Sequence, residues 1–334
     1  MRTRRQRSSS DPMPLTGGHR PTHAGRVTDQ NPAHAERVSG HKPVLLQEVL
    51  HALTIHADDI VLDATLGGAG HAREMVKLLG SKGVLIGIDA DSAAIERARE
   101  ALQGTASTVR LVEGNFRDVI SHTGKHEIPH ITKALFDLGW SGYQLVAGRG
   151  FSFLKEEPLL MTYAAAPGPE TLTAEKIVNT WEESSIADII FGWGEERFAR
   201  QIARGIVAAR KETRIATSRE LAEIVRASVP AFYRKGRLHP ATKTFQALRI
   251  AVNDEMGALK EGLRGAWQLL VSRGRLAVIT FHSVEDREVK RLMKEWVNEG
   301  SGQSLTKSPI RPAREEVLAN PRARSAKLRV IEKQ

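Results

Sequence analysis

Three aspartates each close an apolar run. Ile60-Val61-Leu62-Asp63, Gly83-Val84-Leu85-Ile86-Gly87-Ile88-Asp89 and Ala134-Leu135-Phe136-Asp137-Leu138 read as short buried strands that end on a carboxylate. Between Asp63 and the next helical pattern lies Asp63-Ala64-Thr65-Leu66-Gly67-Gly68-Ala69-Gly70-His71. Glycines at such a turn let backbone approach a ligand, and the helix behind it offers unpaired N–H groups. Asp89 follows Gly67 by 22 residues. An acidic side chain there can accept both hydroxyl protons of an adenosine ribose. Asp63, Gly67, Gly70 and Asp89 therefore predict an adenosine-containing cofactor at the carboxyl edge of a parallel sheet. A third strand, Val109–Glu113, runs out at Gly114-Asn115-Phe116, which places Phe116 either over the adenine or in the core.

The glycine spacing narrows the cofactor. A dinucleotide fingerprint needs a third glycine after Gly68-Ala69-Gly70, where this chain has His71-Ala72-Arg73, and there is no Walker A motif. A carboxylate just before the turn suits a cofactor with its own cation, such as the ammonium and sulfonium of S-adenosylmethionine, and would repel a pyrophosphate. A nicotinamide oxidoreductase is thereby disfavoured. Asp137 falls at the central crevice, where catalysis is expected. It reads either as a strand-end cap or as an acceptor for an exocyclic amine, whose lone pair must be localised for in-line attack on a methyl group. Trp140 and Tyr143 follow it and are candidates to stack on a target base. On the substrate side, His239, Thr242, Lys243 and Arg249 form a polar, basic run that could hold RNA phosphates or cap a helix. His282, Ser283 and Arg287 follow another buried strand and could line the crevice beside the methyl group or simply open a helix. Glu195-Glu196-Arg197 reads as a structural ion-pair cluster.

Elements that position these groups follow from the periodicity. Strands alternate with helices to residue 138, which indicates a parallel sheet with helices on both faces. Helical patterns then take over at Ala174–Thr180, Ser184–Phe191, Glu195–Lys211, Ser218–Ser228 and Thr244–Leu270. Leu276–Phe281 restores a strand, Glu285–Trp296 a helix, and Leu328–Ile331 an edge strand. The expected fold is α/β, one parallel-sheet domain over 41–145 and 251–334 with an all-helical domain inserted over 146–250. Residues 1–40, rich in Arg and Ser, read as a disordered basic arm.

Composition bounds the chemistry. The 334 residues contain no cysteine, so Cys-ligated metals and Cys nucleophiles are excluded, and no metal is expected. Methylation at cytosine C5, which needs a Cys adduct, is excluded with them. No apolar run is long enough for a transmembrane helix. The net charge of +10 favours a polyanionic partner. It concentrates in the two terminal segments, where Arg322 and Arg324 lie, and in residues 197–249, which carry thirteen basic and three acidic side chains.

Six long motifs resemble the bacterial small-subunit (16S) ribosomal RNA cytosine-N4 methyltransferase family (the RsmH, or MraW, type). They are Asp63–His71, Gly150-Phe151-Ser152-Phe153, Gly194–Ala199, His239–Ile250, Phe281–Arg287 and Asn320–Arg329. The resemblance runs from His41 to about Lys333. It implies a Rossmann-like methyltransferase domain with the insertion as substrate-recognition domain, S-adenosylmethionine as methyl donor and a decoding-centre cytosine as acceptor, with cofactor contacts at Ala69, Gly70, His71, Asp89, Phe116, Asp137 and Gln144. Two departures stand out. Where the family reads P-L-D-M-R-M, this chain has Pro158-Leu159-Leu160-Met161-Thr162-Tyr163, so a charged pair becomes Leu160 and Thr162. Trp140-Ser141-Gly142-Tyr143 replaces V-S-S-P.

The primary expectation is thus an RNA-binding transferase of rRNA processing and ribosome biogenesis. The alternative is a family member that binds RNA and cofactor with weakened or lost catalysis. Expected partners are small-subunit ribosomal RNA or the assembled subunit, with no membrane and with a homodimer left open. The expected location is a bacterial cytoplasm, although an Arg- and Ser-rich arm also suits a mitochondrial transit peptide.

Overall fold

The aspartate-terminated runs form the middle of a seven-stranded sheet in the computed structural model, which describes residues 42–138, 148–163, 167–236 and 238–334. Its strands are β1 (Ile60–Asp63), β2 (Val84–Asp89), β3 (Thr108–Glu113), β4 (Ile131–Asp137), β5 (Leu270–Thr280), β6 (Gly302–Ser304) and β7 (Lys327–Lys333). The order is β3-β2-β1-β4-β5-β7-β6. β1 to β5 run parallel, and β7 runs antiparallel to both β5 and β6. Chain order reverses between β1 and β4, which opens a crevice at their carboxyl ends.

The strands read as nearly continuous apolar runs because both faces are covered. Val61, Leu85, Leu135, Ala277 and Ile279 face one core, with α1 (Leu46–Leu53), α2 (Gly70–Val76) and α3 (Ser92–Ala101). Their neighbours Leu62, Ile86, Phe136, Leu276 and Val278 face the other, with α4 (Val119–Lys125) and the later helices α11 and α12 described below. Phe136 is fully buried there, and burial of such a side chain contributes about 1.5–3 kcal/mol.

Residues 151–252 build a separate apolar core from α5 (Ala174–Thr180), α6 (Glu183–Gly192), α7 (Ala199–Glu212), α8 (Ser218–Ser228), the short α9 (Ala231–Arg234) and α10 (Thr242–Val252). Local signals set several boundaries. Thr217 and Glu220 form a reciprocal capping box that starts α8, and the Thr173 hydroxyl caps α5. The chain then returns to the sheet through α11 (Glu255–Leu269), and α12 (Ser283–Asn298) and α13 (Arg314–Ala319) follow β5.

Three sequence expectations are corrected. The single helix expected over Thr244–Leu270 is two helices and the start of β5, because Asp254 takes a left-handed φ of 45° and breaks the ladder. The helix expected from Glu195 begins at Ala199. Glu195 has a φ of 50°, and the buried Glu196 carboxylate accepts the Phe198 N–H at 2.9 Å. The final strand is not an edge, since β6 pairs with its outer side. Among the described residues, no helix is long and apolar enough to cross a membrane.

Candidate active site at the carboxyl edge of the sheet

The turn after β1 is held by its own carboxylates. Asp89, at the end of β2, accepts the Gly67 N–H at 2.7 Å with one oxygen and the Asp91 N–H at 2.9 Å with the other. Gly67 and Ala69 both adopt left-handed backbone, with φ of 52° and 57°. At Ala69 this costs on the order of 1 kcal/mol. Gly70 opens α2 against Pro43, and a Cβ there would lie 3.2 Å from the proline ring. Asp63 is 1% exposed and accepts the Thr65 N–H at 3.2 Å. Burial pushes its pKa up to about 6; the nearby His71 pulls it down, and the Asp137 and Asp89 charges add to the rise. Burial also raises the pKa of Asp89.

Asp137 is fixed from the same turn, because its backbone N–H donates to the Thr65 hydroxyl at 2.6 Å. One of its carboxylate oxygens lies 3.6 Å from Nδ1 of His71. The other ring nitrogen, Nε2, sits 3.0 Å from the Val44 carbonyl. A carbonyl only accepts, so Nε2 carries the proton and Nδ1 faces the Asp137 carboxylate. Burial lowers the pKa of His71 despite the charge of Asp63. The segment that supplies Val44 is itself tied down. Leu45 N–H donates to Glu316 at 2.8 Å, and the Asn320 amide donates to the Lys42 carbonyl at 3.1 Å.

Three carboxylates thus converge where β1, β2 and β4 end. Among the described residues, no Lys or Arg forms an ion pair with Asp63 or Asp89. Burial of Asp63 and Asp89 without an ion-pairing Lys or Arg favours a ligand that brings positive charge. Phe116 packs edge-on against Phe136 at 5.6 Å, and a Cβ at Gly262 would lie 2.6 Å from its ring. These contacts hold Phe116 against the second core, and the ring stays half-buried. Trp140, Tyr143 and Gln144 lie outside the described residues.

The substrate side contains a polar network that sequence reasoning missed. Arg249 is 5% exposed, with Nε 2.6 Å and Nη2 2.8 Å from the two oxygens of Glu255. The Tyr163 hydroxyl donates to Glu255 at 2.6 Å. Asn253 accepts the Tyr163 N–H at 2.9 Å and donates to the carbonyls of Met161 and Arg249. Arg249 is therefore corrected from a phosphate contact to a buried structural ion. Its place was readable, since Phe245, Leu248, Arg249 and Val252 share one helical face.

His282 and Ser283 also have structural tasks. His282 caps α12, accepting the Glu285 N–H through Nδ1, while Nε2 lies 3.0 Å from the Glu285 carboxylate. With Nδ1 accepting the Glu285 N–H, the ring serves as a helix cap. Arg249 Nη2 lies 3.4 Å from that ring. Glu255, His282 and Glu285 offer ligand atoms within 4.8 Å of one another, but the Arg249 guanidinium already supplies the positive charge among them. Ser283 and Arg287 both reach across to the Glu195 carboxylate, the Ser283 hydroxyl as donor. Lys243 donates to the Glu195 carbonyl at 2.7 Å. Arg287 keeps 63% of its side chain exposed. His239 is exposed and stacks on Phe153 at 4.5 Å, and Thr242 lines a small groove with Phe151, Phe153 and Gln246. Arg322 and Arg324 are exposed on a 3-10 turn over Pro321–Ser325.

Sequence comparison adds an independent line. The sequence model of the MraW methylase family matches residues 38–334. Three curated proteins, each called ribosomal RNA small subunit methyltransferase H, align over 88% of the chain. The Persephonella marina protein is 45% identical over 293 residues, 99% of its own length. The Deinococcus deserti protein is 46% identical over 294 residues, 93% of its length, and that of Symbiobacterium thermophilum 42% over 309 residues, 96% of its length.

Proposed function

Since the chain belongs to the MraW methylase family, we propose that it transfers a methyl group from S-adenosylmethionine to the exocyclic N4 of a decoding-centre cytosine in small-subunit ribosomal RNA. The observation that carries this reading is the convergence of Asp63, Asp89 and Asp137 on one crevice, joined to family membership. The donor set fits the cofactor, since the buried Asp63 and Asp89 carboxyls favour a cationic ligand and the family uses one.

S-adenosylmethionine supplies an electrophilic methyl group on a sulfonium. The protein supplies position and electrostatics. Asp89 keeps the glycine turn open through Gly67 and retains lone pairs for ribose hydroxyls. Asp63 and Asp137 place negative charge at the carboxyl edge, and His71, buttressed by Val44, fixes the helix start beside them. Asp137 is assigned to accept an N–H of the target amine, so that the nitrogen lone pair points at the methyl group as the C–S bond breaks and the N–C bond forms. The amine proton then leaves to solvent or a neighbouring acceptor. Trp140 and Tyr143 are assigned to stack on the extruded base, and Gln144 to the cofactor.

We divide the chain into a methyltransferase part, 41–145 with 251–334, and an inserted helical part, 146–250, whose separate apolar core supports the division. His239, Thr242, Lys243, Arg287, Arg322 and Arg324 are assigned to the RNA. Because the curated relatives quoted above are bacterial, the reaction belongs to a bacterial cytoplasm, and they give the mitochondrial reading of the first 40 residues no support. The test is incubation of the purified protein and S-adenosylmethionine with unmethylated small subunits, followed by mass spectrometry of the RNA. N4-methylcytosine is expected. Tight cofactor binding with no methyl incorporation would instead establish the alternative of a binding protein without catalysis.

The departures at Leu160 and Thr162 do not argue for that alternative. Both members of a charged pair are replaced together, so no buried charge is orphaned, and such paired replacements are often neutral. The Leu160 carbonyl still accepts the Ala174 N–H at 3.0 Å. Tyr163, next along, joins the Arg249–Glu255 pair.

A further inference from the structure

The Glu195-Glu196-Arg197 motif is used in two directions, and only one of them is structural. Glu195 ties the helical lobe to α12 through Ser283 and Arg287. Arg197 does the opposite. It is exposed, and among the described residues it has no carboxylate within ion-pair distance. Its guanidinium lies instead over three rings, 4.8 Å from Phe198, 5.1 Å from Tyr233 and 5.6 Å from Phe232.

Those rings are not equally buried. Tyr233 is anchored, because its hydroxyl donates to the fully buried Glu196 carboxylate at 2.5 Å. Phe198 meets Tyr233 edge-on at 4.9 Å. Phe232, on the same short helix α9, is 66% exposed and only grazes Phe198 at 6.3 Å. Its neighbour Lys235 is exposed. Arg234 is not part of the surface chemistry, since it donates to the Val229 and Ala227 carbonyls at the end of α8. The result is a large flat ring held out in solvent with a guanidinium against it and the exposed Lys235 three positions further along the chain. It lies within the stretch that carries thirteen basic and three acidic residues.

We propose that Phe232, backed by Arg197, is a stacking platform for an unpaired base of the small-subunit RNA, with Arg197 and Lys235 on the flanking phosphates. This rests on the ribosomal RNA reading above and adds a second anchoring point, on α9, to the methyl-transfer crevice. An aromatic ring among cations is the arrangement by which proteins hold single-stranded nucleic acid without reading its sequence. The local charge favours RNA over a protein partner.

The test compares wild type, Phe232→Ala and Phe232→Trp as full chains. Affinity is measured for protein-free, unmethylated small-subunit RNA, together with the KM for methylation of intact small subunits. S-adenosylmethionine affinity, measured by calorimetry, reports that the variants are folded. Phe232→Ala should weaken RNA binding roughly tenfold and raise the KM by a similar factor, with cofactor affinity unmoved. Phe232→Trp should restore both. Wild-type RNA affinity in Phe232→Ala would overturn the proposal. A defect on intact subunits with none on protein-free RNA would also overturn it and point to a protein contact. If the wild-type protein neither binds nor methylates the RNA, the ribosomal RNA reading itself fails, which is a distinct result.

Discussion

Acidification should weaken the binding of S-adenosylmethionine, and the size of the effect follows from Asp63. Burial raises the pKa of this carboxyl from 3.8 to about 6. A cationic ligand binds the ionised form, so the apparent Kd scales as one plus the ratio of protonated to ionised Asp63. That factor is about 1.1 at pH 7 and about 11 at pH 5. Affinity should therefore fall about tenfold over this range, about 1.4 kcal/mol. S-adenosylhomocysteine, which lacks the sulfonium charge, should show a shallower slope. Asp63→Asn should bind more weakly at pH 7 and lose the dependence. Stability runs the other way. The folded-state pKa lies above the unfolded one, so the stabilising contribution of this group is present below about pH 3.8 and is lost as pH rises through about 6. At pH 7 the ionised Asp63 is a net cost, and Asp63→Asn should stabilise the unliganded protein by up to about 3 kcal/mol. Calorimetry at fixed ionic strength between pH 5 and 7.5, with thermal melts, reads both effects. A flat wild-type profile would refute the reasoning. A slope that survives in Asp63→Asn would assign the titration to Asp89 or His71 instead.

Three further outcomes are expected. Asp89→Asn leaves either the Gly67 or the Asp91 N–H facing an amide NH2 group, and cofactor affinity should fall by about 1–3 kcal/mol in calorimetry; unchanged affinity removes Asp89 from the site. Arg249→Ala strands the Glu255 carboxylate beside Tyr163 and should cost about 3–5 kcal/mol in urea unfolding, while Arg249→Met with Glu255→Gln should recover much of that loss. A single variant that loses less than about 1 kcal/mol would count against a buried ion pair. Thr65→Val removes the acceptor of the Asp137 N–H and should destabilise the protein by about 1–3 kcal/mol, whereas Thr65→Ser should behave as wild type; equal melts for the two variants would contradict the role of that hydroxyl.

The cofactor half was legible because its signals are local. Each apolar run is short, covered on both faces and closed by an aspartate, so composition alone places Asp63, Asp89 and Asp137 on one edge. Helices Ala174–Thr180 and Ser218–Ser228 were likewise readable, since a hydroxyl cap precedes each. What the sequence hid depends on distant partners. Asp254 breaks a helix that its periodicity would continue, and Arg117, 137 positions earlier, pairs with it in the bend. The polar run from His239 to Arg249 suggested one basic surface. The fold divides it between an exposed stacked His239 and a buried Arg249, because only the second falls on the apolar stripe of α10. The capping role of His282 has a sequence signature, with Glu285 three positions on, but a histidine at that position is readily mistaken for a base.

The clamp on Lys42–Leu45 bears on how the protein is made. Leu45 and its partner Glu316 are 271 positions apart, and through Val44 this clamp supports His71. During synthesis, β1, β2 and β4 emerge early, yet β5 can pair with β4 only after the whole helical insertion has been translated. The brace behind the glycine turn closes later still, once Asn320 has left the exit tunnel. A nascent chain thus carries its acidic edge through translation of the whole helical insertion without a finished pocket. The acidic edge and the brace behind it are separated in time by the synthesis of the whole helical insertion and of β5.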